Sequence, residues 1–201
     1  MYSVLPPALK AFHQMYPQVE LKLSAILTED QTDALLDKRI HVGIGRQPVA
    51  IAGCTSYPIL RERLMVALAQ DHPLAAQEQV QIADLADTPL ILYPKHPNAQ
   101  FKHAVQSIYC DAGVMPVVAH HADEIQIAVA LVAAGLGVTF VVESVSKHGR
   151  ADVADVVFRH VAGAGSSQRT TLTATFCPEE MSPHLRAFLA CLPDPLADAI
   201  L

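Results

Sequence analysis

Histidine, cysteine and carboxylate side chains are the groups here that could hold a metal, attack a substrate or move a proton. None falls in a pattern that commits it to that work. The chain has 10 histidines, and His120-His121 is the most suggestive pair. Adjacent residues project to opposite faces of a strand, or about 100° apart on a helix, so the two rings are poorly placed to share one ion. They read as exposed or locally bonded side chains, and no metal site is expected. Cys54, Cys110, Cys177 and Cys191 are too widely spaced for a CxxC pair, a zinc ribbon or a dense disulfide framework. They are expected to be free, mostly buried thiols in a reducing compartment. Acidic pairs such as Glu29-Asp30 sit in helix first turns, where they complement the macrodipole. The sequence has no GxSxG elbow, P-loop, HExxH or complete GxGxxG. The Gly-x-Gly fragments at Gly43/Gly45, Gly135/Gly137 and Gly163/Gly165 read as turns and helix stops. No catalytic residue and no cofactor is therefore expected.

A different chemistry is available where helices begin. Thr28 directly follows an alternating run and opens a helix, and Asn98-Ala99-Gln100-Phe101 opens another after a strand ending at Tyr93. In open α/β sheets ligands bind beyond the carboxyl ends of the strands. Unpaired N–H groups at helix starts attract carboxylates there, and a hydroxyl adds one more donor. Two such helix starts facing each other would hold a small dicarboxylate or similar anion. The alternative is that Thr28 only caps its helix, and spacing alone leaves both open.

The elements that must position these residues are legible in outline. Leu5, Leu9, Phe12 and Met15 or Tyr16 recur at helical spacing behind Pro6-Pro7. Val19, Leu21, Leu23, Ala25 and Leu27 alternate as a half-buried strand would. Thr28-Glu29-Asp30-Gln31 reads as a capping box before a helix carrying Ala34, Leu35 and Leu36, and Ile40 to Ile44 follows as a short strand. The rhythm recurs: strands at Leu64–Leu68 and Leu90–Tyr93, a helix with Phe101, Val105 and Ile108 inward and Gly113 as its stop. Asp123-Glu124-Ile125-Gln126 reads as a second capping box, for a helix ending at Gly135, with strand from Val138 to Val142. Strands at Val156–Phe158 and Thr170–Phe176 flank a Gly163–Ser167 loop, and Ser182-Pro183 starts a last helix. Strand–helix–strand alternation means an α/β fold with parallel pairing.

Composition excludes more than it names. At 201 residues and 51% hydrophobic, the chain can bury one large core or two of about 100 residues each, and is not intrinsically disordered. Its formal net charge is -6, so a nucleic-acid surface on this chain is not expected. The uncharged run from Ile127 to Val142 is too short for a membrane span and is broken by Gly135 and Gly137. No signal peptide opens the sequence, and a cytoplasmic location is expected.

The stretch from Glu124 to Val138, EIQIAVALVAAGLGV, resembles the signature of the effector-binding domain of LysR-type transcriptional regulators. The resemblance extends to Leu5-Pro6 with Phe12 and Tyr16-Pro17, to Ile40–Arg46, to His72-Pro73-Leu74 and to Ala83–Ile91, and so covers nearly the whole chain. Gly45-Arg46 and Leu92-Tyr93-Pro94 resemble the subgroup that activates catechol, chlorocatechol and benzoate degradation genes and responds to muconate-like dicarboxylates.

The resemblance implies a two-lobed fold like that of type 2 periplasmic binding proteins, each lobe a mostly parallel sheet flanked by helices, with effector in the cleft. Lobe I would take residues 1–61 and 166–201, and lobe II residues 62–165, with crossover strands near Leu60–Arg63 and Val161–Thr170. By the family pattern Thr28 gives a hydroxyl to the effector carboxylate, Gln100 and Phe101 supply the second lobe's helix start, and Arg46 lies near the cleft. It further implies a homodimer or tetramer through these domains, promoter DNA bound only by an N-terminal winged helix-turn-helix, and no enzyme activity. Set against that pattern, the chain begins after the family's first strand and its hydroxyl-bearing turn. Gln100 stands where Asn is usual, and Val142-Glu143 replaces Val-Pro. Two rivals share the fold class: a solute-binding protein for small organic anions, which would carry a signal peptide, and a small enzyme, which would need an acid/base pair in the cleft.

Overall fold

The computed structural model describes residues 3–46, 52–95, 99–148, 155–162 and 169–193. The Asn98 and Gly163–Ser167 readings lie outside them. The chain divides into two compact units, one from Met1–Arg61 with Thr171–Leu201 and the other from Glu62–Thr170.

In the first unit, helix α1 (Leu5–Met15) begins with prolines where N–H groups have no helical partner in any case, and it buries Ala8 and Phe12. Strand β1 (Gly43–Arg46) pairs antiparallel with β8 (Arg169–Phe176), Gly43 opposite Thr175 and Arg46 opposite Leu172. On the other side of β8 runs the opening part of β2 (Thr55–Ala69). Helix α6 (Pro183–Ala190) is capped by Ser182, whose Oγ accepts from the Leu185 N–H at 3.0 Å. Its Phe188 ring meets Phe12 edge-on at 5.7 Å, and Ile59, Leu172 and Ala174 complete this core.

The second unit is a run of β4 (Pro89–Leu92), α3 (Gln100–Asp111), β5 (Val117–His121), α4 (Ile125–Ala133) and β6 (Thr139–Val142). Helical crossovers make β4 and β5 parallel, and β4 meets the start of β6 in parallel through Leu90 and Val138. Gly137 allows that approach: it has φ +143°, and a Cβ there would run into the Pro89 carbonyl. Helix α4 ends two residues before Gly135, at φ +74°, and α3 two residues before Gly113, at φ +71°. The later part of β2 pairs antiparallel with β6 and with β7 (Val156–Val161), and the short β3 (Gln79–Val80) adds to β7 in parallel. Helix α5 (Glu143–His148) follows β6 directly, its Ser144 N–H donating to the buried Glu62 carboxylate at 3.1 Å. Tyr109 and Phe140 pack edge-to-face at 5.8 Å in the core between sheet and helices.

Several sequence expectations are corrected. The sheets are mixed rather than mostly parallel, because β2 runs against both strands it pairs in the second unit. Residues 20–27 form no ladder with any described strand, so their alternation records side-chain pattern without strand pairing. Leu23 is 63% exposed, and Leu21 and Leu27 are exposed too. The N-cap positions before Gln31 and Ile125 are Asp30 and Glu124, and neither makes a side-chain cap bond. The thiols are not all free. Ser56 and Thr175 hydroxyls meet across β2 and β8 at 2.7 Å, and two residues further out Cys54 and Cys177 are disulfide-bonded with Cα atoms 4.0 Å apart. A separation of 123 residues hides that adjacency in the sequence. Cys110 is free and exposed, and Cys191 free and half-buried.

Candidate functional site

Of the residues singled out in the first unit, Thr28 and Arg46 come together. Thr28 opens a single 3-10 turn (Thr28–Asp30) that leads into α2 (Gln31–Leu36), and its side chain does not cap that turn. Instead its Oγ1 accepts the backbone N–H of Arg46 at 3.3 Å. The hydroxyl's own hydrogen is not taken up by any bond described for it, which leaves Thr28 able to donate to a carboxylate.

The contact depends on glycine. A Cβ on Gly45 would lie 2.7 Å from Thr28 Oγ1 and 2.8 Å from its Cγ2. Two residues earlier on the same face of β1, a Cβ on Gly43 would lie 2.5 Å from Gln31 Oε1. Both glycines sit in strand without positive φ, so their role is space and not a turn, which corrects the reading of Gly43/Gly45. Gln31 is 8% exposed and uses both hydrogens of its amide, one on the Ile26 carbonyl at 3.1 Å and one on the Ile44 carbonyl at 3.2 Å. The sequence reading missed Gln31 and the glycines as site residues. Two glycines at i and i+2 in a strand-like run were the available signal.

Gln100 and Phe101 lie in the second unit, as the first two residues of α3. The N-cap is Ala99, whose methyl side chain cannot accept from the first-turn N–H groups. Phe101 is 7% exposed and meets the Tyr93 ring at 5.0 Å, tilted by 40°. Its ring belongs to the core, and what it can offer a ligand is its backbone N–H and the positive end of the helix. The Tyr93–Pro94 peptide beside it is cis.

The histidine pair of the sequence reading falls on β5, with His121 exposed. No group of three or more His, Cys, Asp or Glu among the described residues could hold a metal ion. None of the described helices is long and apolar enough to cross a membrane.

The architecture is that of ligand-sensing effector domains. It superposes on the effector-binding domain of a BenM variant with a TM-score of 0.83 and 28% identity, over 93% of this chain and 85% of that one. The BenM effector-binding domain solved with its effector benzoate gives 0.81 and 28%, over 93% and 83%. Full-length CbnR bound to its target DNA gives 0.81 and 26%, over 93% of this chain and 64% of that one.

Residues 1–196 match the model of the LysR substrate binding domain, and the chain belongs to that family. Among curated relatives it is 34% identical over 143 residues to the transcriptional regulator BenM of Acinetobacter baylyi, covering 70% of this chain and 47% of that protein. It is 33% identical over 153 residues to CatR of Pseudomonas putida, covering 76% and 52%. The chain thus spans about half the length of these relatives. It is an effector-binding domain of the LysR type, whose relatives are named as transcriptional regulators and not as enzymes.

Proposed function

We propose that this domain senses a small aromatic-pathway acid, benzoate or a muconate-like dicarboxylate, for a cytoplasmic activator of aromatic-compound degradation genes. The observation that carries the reading is the Thr28 hydroxyl, held on the Arg46 N–H with its own hydrogen available to an anion. In this reading residues 1–61 with 166–201 form one lobe and residues 62–165 the other. Thr28 and Arg46 bind from the first, and the helix start at Gln100 and Phe101 binds from the second. Support for the ligand class comes from the related BenM domain, solved with benzoate as its effector.

Effector would act by binding one arrangement of the domain better than another, which is the only way a ligand shifts an equilibrium. The domains would pair as homodimers or tetramers, using apolar side chains that this chain leaves exposed, Leu23 at 63% and Met115 at 77% among them. Promoter contact is assigned to the part of the longer relatives that this chain does not span, in keeping with the net charge of -6.

The test is thermal unfolding against benzoate, cis,cis-muconate, chloromuconates and amino acids. Ligand at about 100 times its dissociation constant stabilises by roughly 2.7 kcal/mol. For a chain of this size the midpoint rises by about 5–10 °C. Thr28→Ala should cost ~1–3 kcal/mol of that binding, the scale of a hydrogen bond to a charged group. No response to any of these acids, or a Thr28→Ala variant that binds as tightly as the parent, defeats the reading.

A further inference from the structure

We infer that Gln31 is the positioning residue of the Thr28 site: its side-chain amide clamps the segment before the Thr28 turn to strand β1, and so sets where the hydroxyl points. The inference rests on the proposed role of Thr28 in binding. Its structural half stands on geometry alone.

Ile26 is two residues before Thr28, and Ile44 two residues before Arg46. Gln31 Nε2 donates to both of their carbonyls, at 3.1 and 3.2 Å. Both acceptors are carbonyl oxygens, so only the donor end of the amide fits between them. One planar group thus spans the two backbones whose next neighbours carry the Arg46 N–H···Oγ1 Thr28 bond of 3.3 Å.

The clamp takes the place of a ladder. Residues 20–27 have no strand partner among those described, so this segment lacks the regular bonds that fix register in a sheet. Gln31 is nonetheless 8% exposed, with its Oε1 seated in the space that Gly43 leaves open. A buried amide with both hydrogens placed is costly to disturb, because unpaired it would keep its desolvation penalty. Thr28 touches the ligand in this scheme. Gln31 does not, and it acts through Thr28.

Gln31→Met keeps the length of the side chain and removes both donors. The first readout needs no ligand: hydrogen exchange of the Arg46 amide, with the Leu185 amide at the Ser182 cap as reference. Arg46 protection should fall about 10-fold, the scale of one lost hydrogen bond, while Leu185 keeps its own. The second readout is benzoate affinity, expected to weaken by about 10-fold. Gln31→Glu supplies a pH profile. Ionised near pH 7.5, its carboxylate faces two carbonyls and the site should be as weak as in Gln31→Met. As the pH falls towards 5 the carboxyl takes up a proton, can donate to one carbonyl, and should recover part of the affinity. If Gln31→Met does not fold, Gly43→Ala displaces the same amide from the opposite side and should give the same loss at Arg46. Unchanged Arg46 protection, or equal losses at Arg46 and Leu185, overturns the clamp. Lost Arg46 protection with benzoate binding indifferent to Thr28→Ala retains the clamp and defeats the role of Thr28 instead.

Discussion

Replacing Gly45 by alanine should uncouple the Thr28 hydroxyl from its strand while leaving the fold standing. The added methyl would lie 2.7 Å from Thr28 Oγ1, 2.8 Å from Cγ2 and 3.2 Å from Cβ, so the threonine side chain has to move. Overpacking of this kind costs about 1–3 kcal/mol. Loss of the 3.3 Å bond from the Arg46 N–H adds about 0.5–1.5 kcal/mol. Against these, alanine lowers the entropy of the unfolded chain by about 0.4–1 kcal/mol. The net destabilisation should be roughly 1–3 kcal/mol. Denaturant unfolding of the four chains in the cycle of Gly45→Ala and Thr28→Ala measures the coupling directly. With Thr28 shortened only the 3.2 Å contact remains, so the cost of Gly45→Ala should fall by more than half. In the parent background the displaced hydroxyl should also weaken benzoate binding by ~10- to 150-fold, the value of a hydrogen bond to a charged group. An equal cost of Gly45→Ala in both backgrounds would refute the reasoning, because the methyl would then be meeting something other than Thr28.

Three further outcomes follow from single observations. His72 Nδ1 accepts the Leu74 N–H at 3.2 Å, which requires a neutral ring, and burial lowers its pKa from 6.5 against the opposing pull of Asp71. The unfolded chain therefore takes up the proton first, and stability present above pH 6.5 should be lost as pH falls below it. His72→Asn keeps a capping oxygen and should flatten that part of the profile. Tyr109 is fully buried, its hydroxyl has no hydrogen-bond partner among the described residues, and burial pushes its pKa up to about 12. Tyr109→Phe should raise stability by about 1 kcal/mol and abolish a loss that begins as pH rises past 10, where the unfolded phenol ionises first; a destabilised variant contradicts this. The Cys54–Cys177 bond closes a loop of 123 residues, worth roughly 5 kcal/mol by chain entropy. Reductant should lower the melting midpoint by about 10–20 °C, and Cys54→Ser should melt at the lower value with or without it; insensitivity of the parent to reductant goes against the bond.

How far the sequence was legible depends on what each residue reports. Helices α1, α3 and α6 announce themselves because a second signal joins the apolar spacing: leading prolines in α1, Ser182-Pro183 in α6 and the closing Gly113 in α3. The first part of β2 escapes notice, since Thr55–Arg61 has no period-two burial and its neighbours come from the far end of the chain. Strand β5 is missed for the opposite reason: it lies at the side of its sheet with Val117 and Val118 exposed, and so carries no apolar face. Residues 20–27 err the other way, for alternation cannot say whether a partner strand exists. In the site, Thr28 stands out as a helix start and Arg46 only through family resemblance, and their mutual hydrogen bond is invisible at a separation of 18 residues. Gln31 reads in the sequence as part of a capping box, and only its two carbonyl partners reveal another task.

The glycine pair on β1 bears on how such a domain can change its preference over generations. Gly43 and Gly45 contribute no group of their own, yet each reserves a place for another residue's side chain. Almost any mutation at either position adds bulk and evicts Gln31 or Thr28 at one stroke. Few intermediate sequences there would both fold and respond. New ligand preferences would therefore arise more readily at positions whose side chains can be exchanged one at a time. On that view this stretch of strand should be the slow-changing part of the pocket, with discrimination among related acids drifting around it.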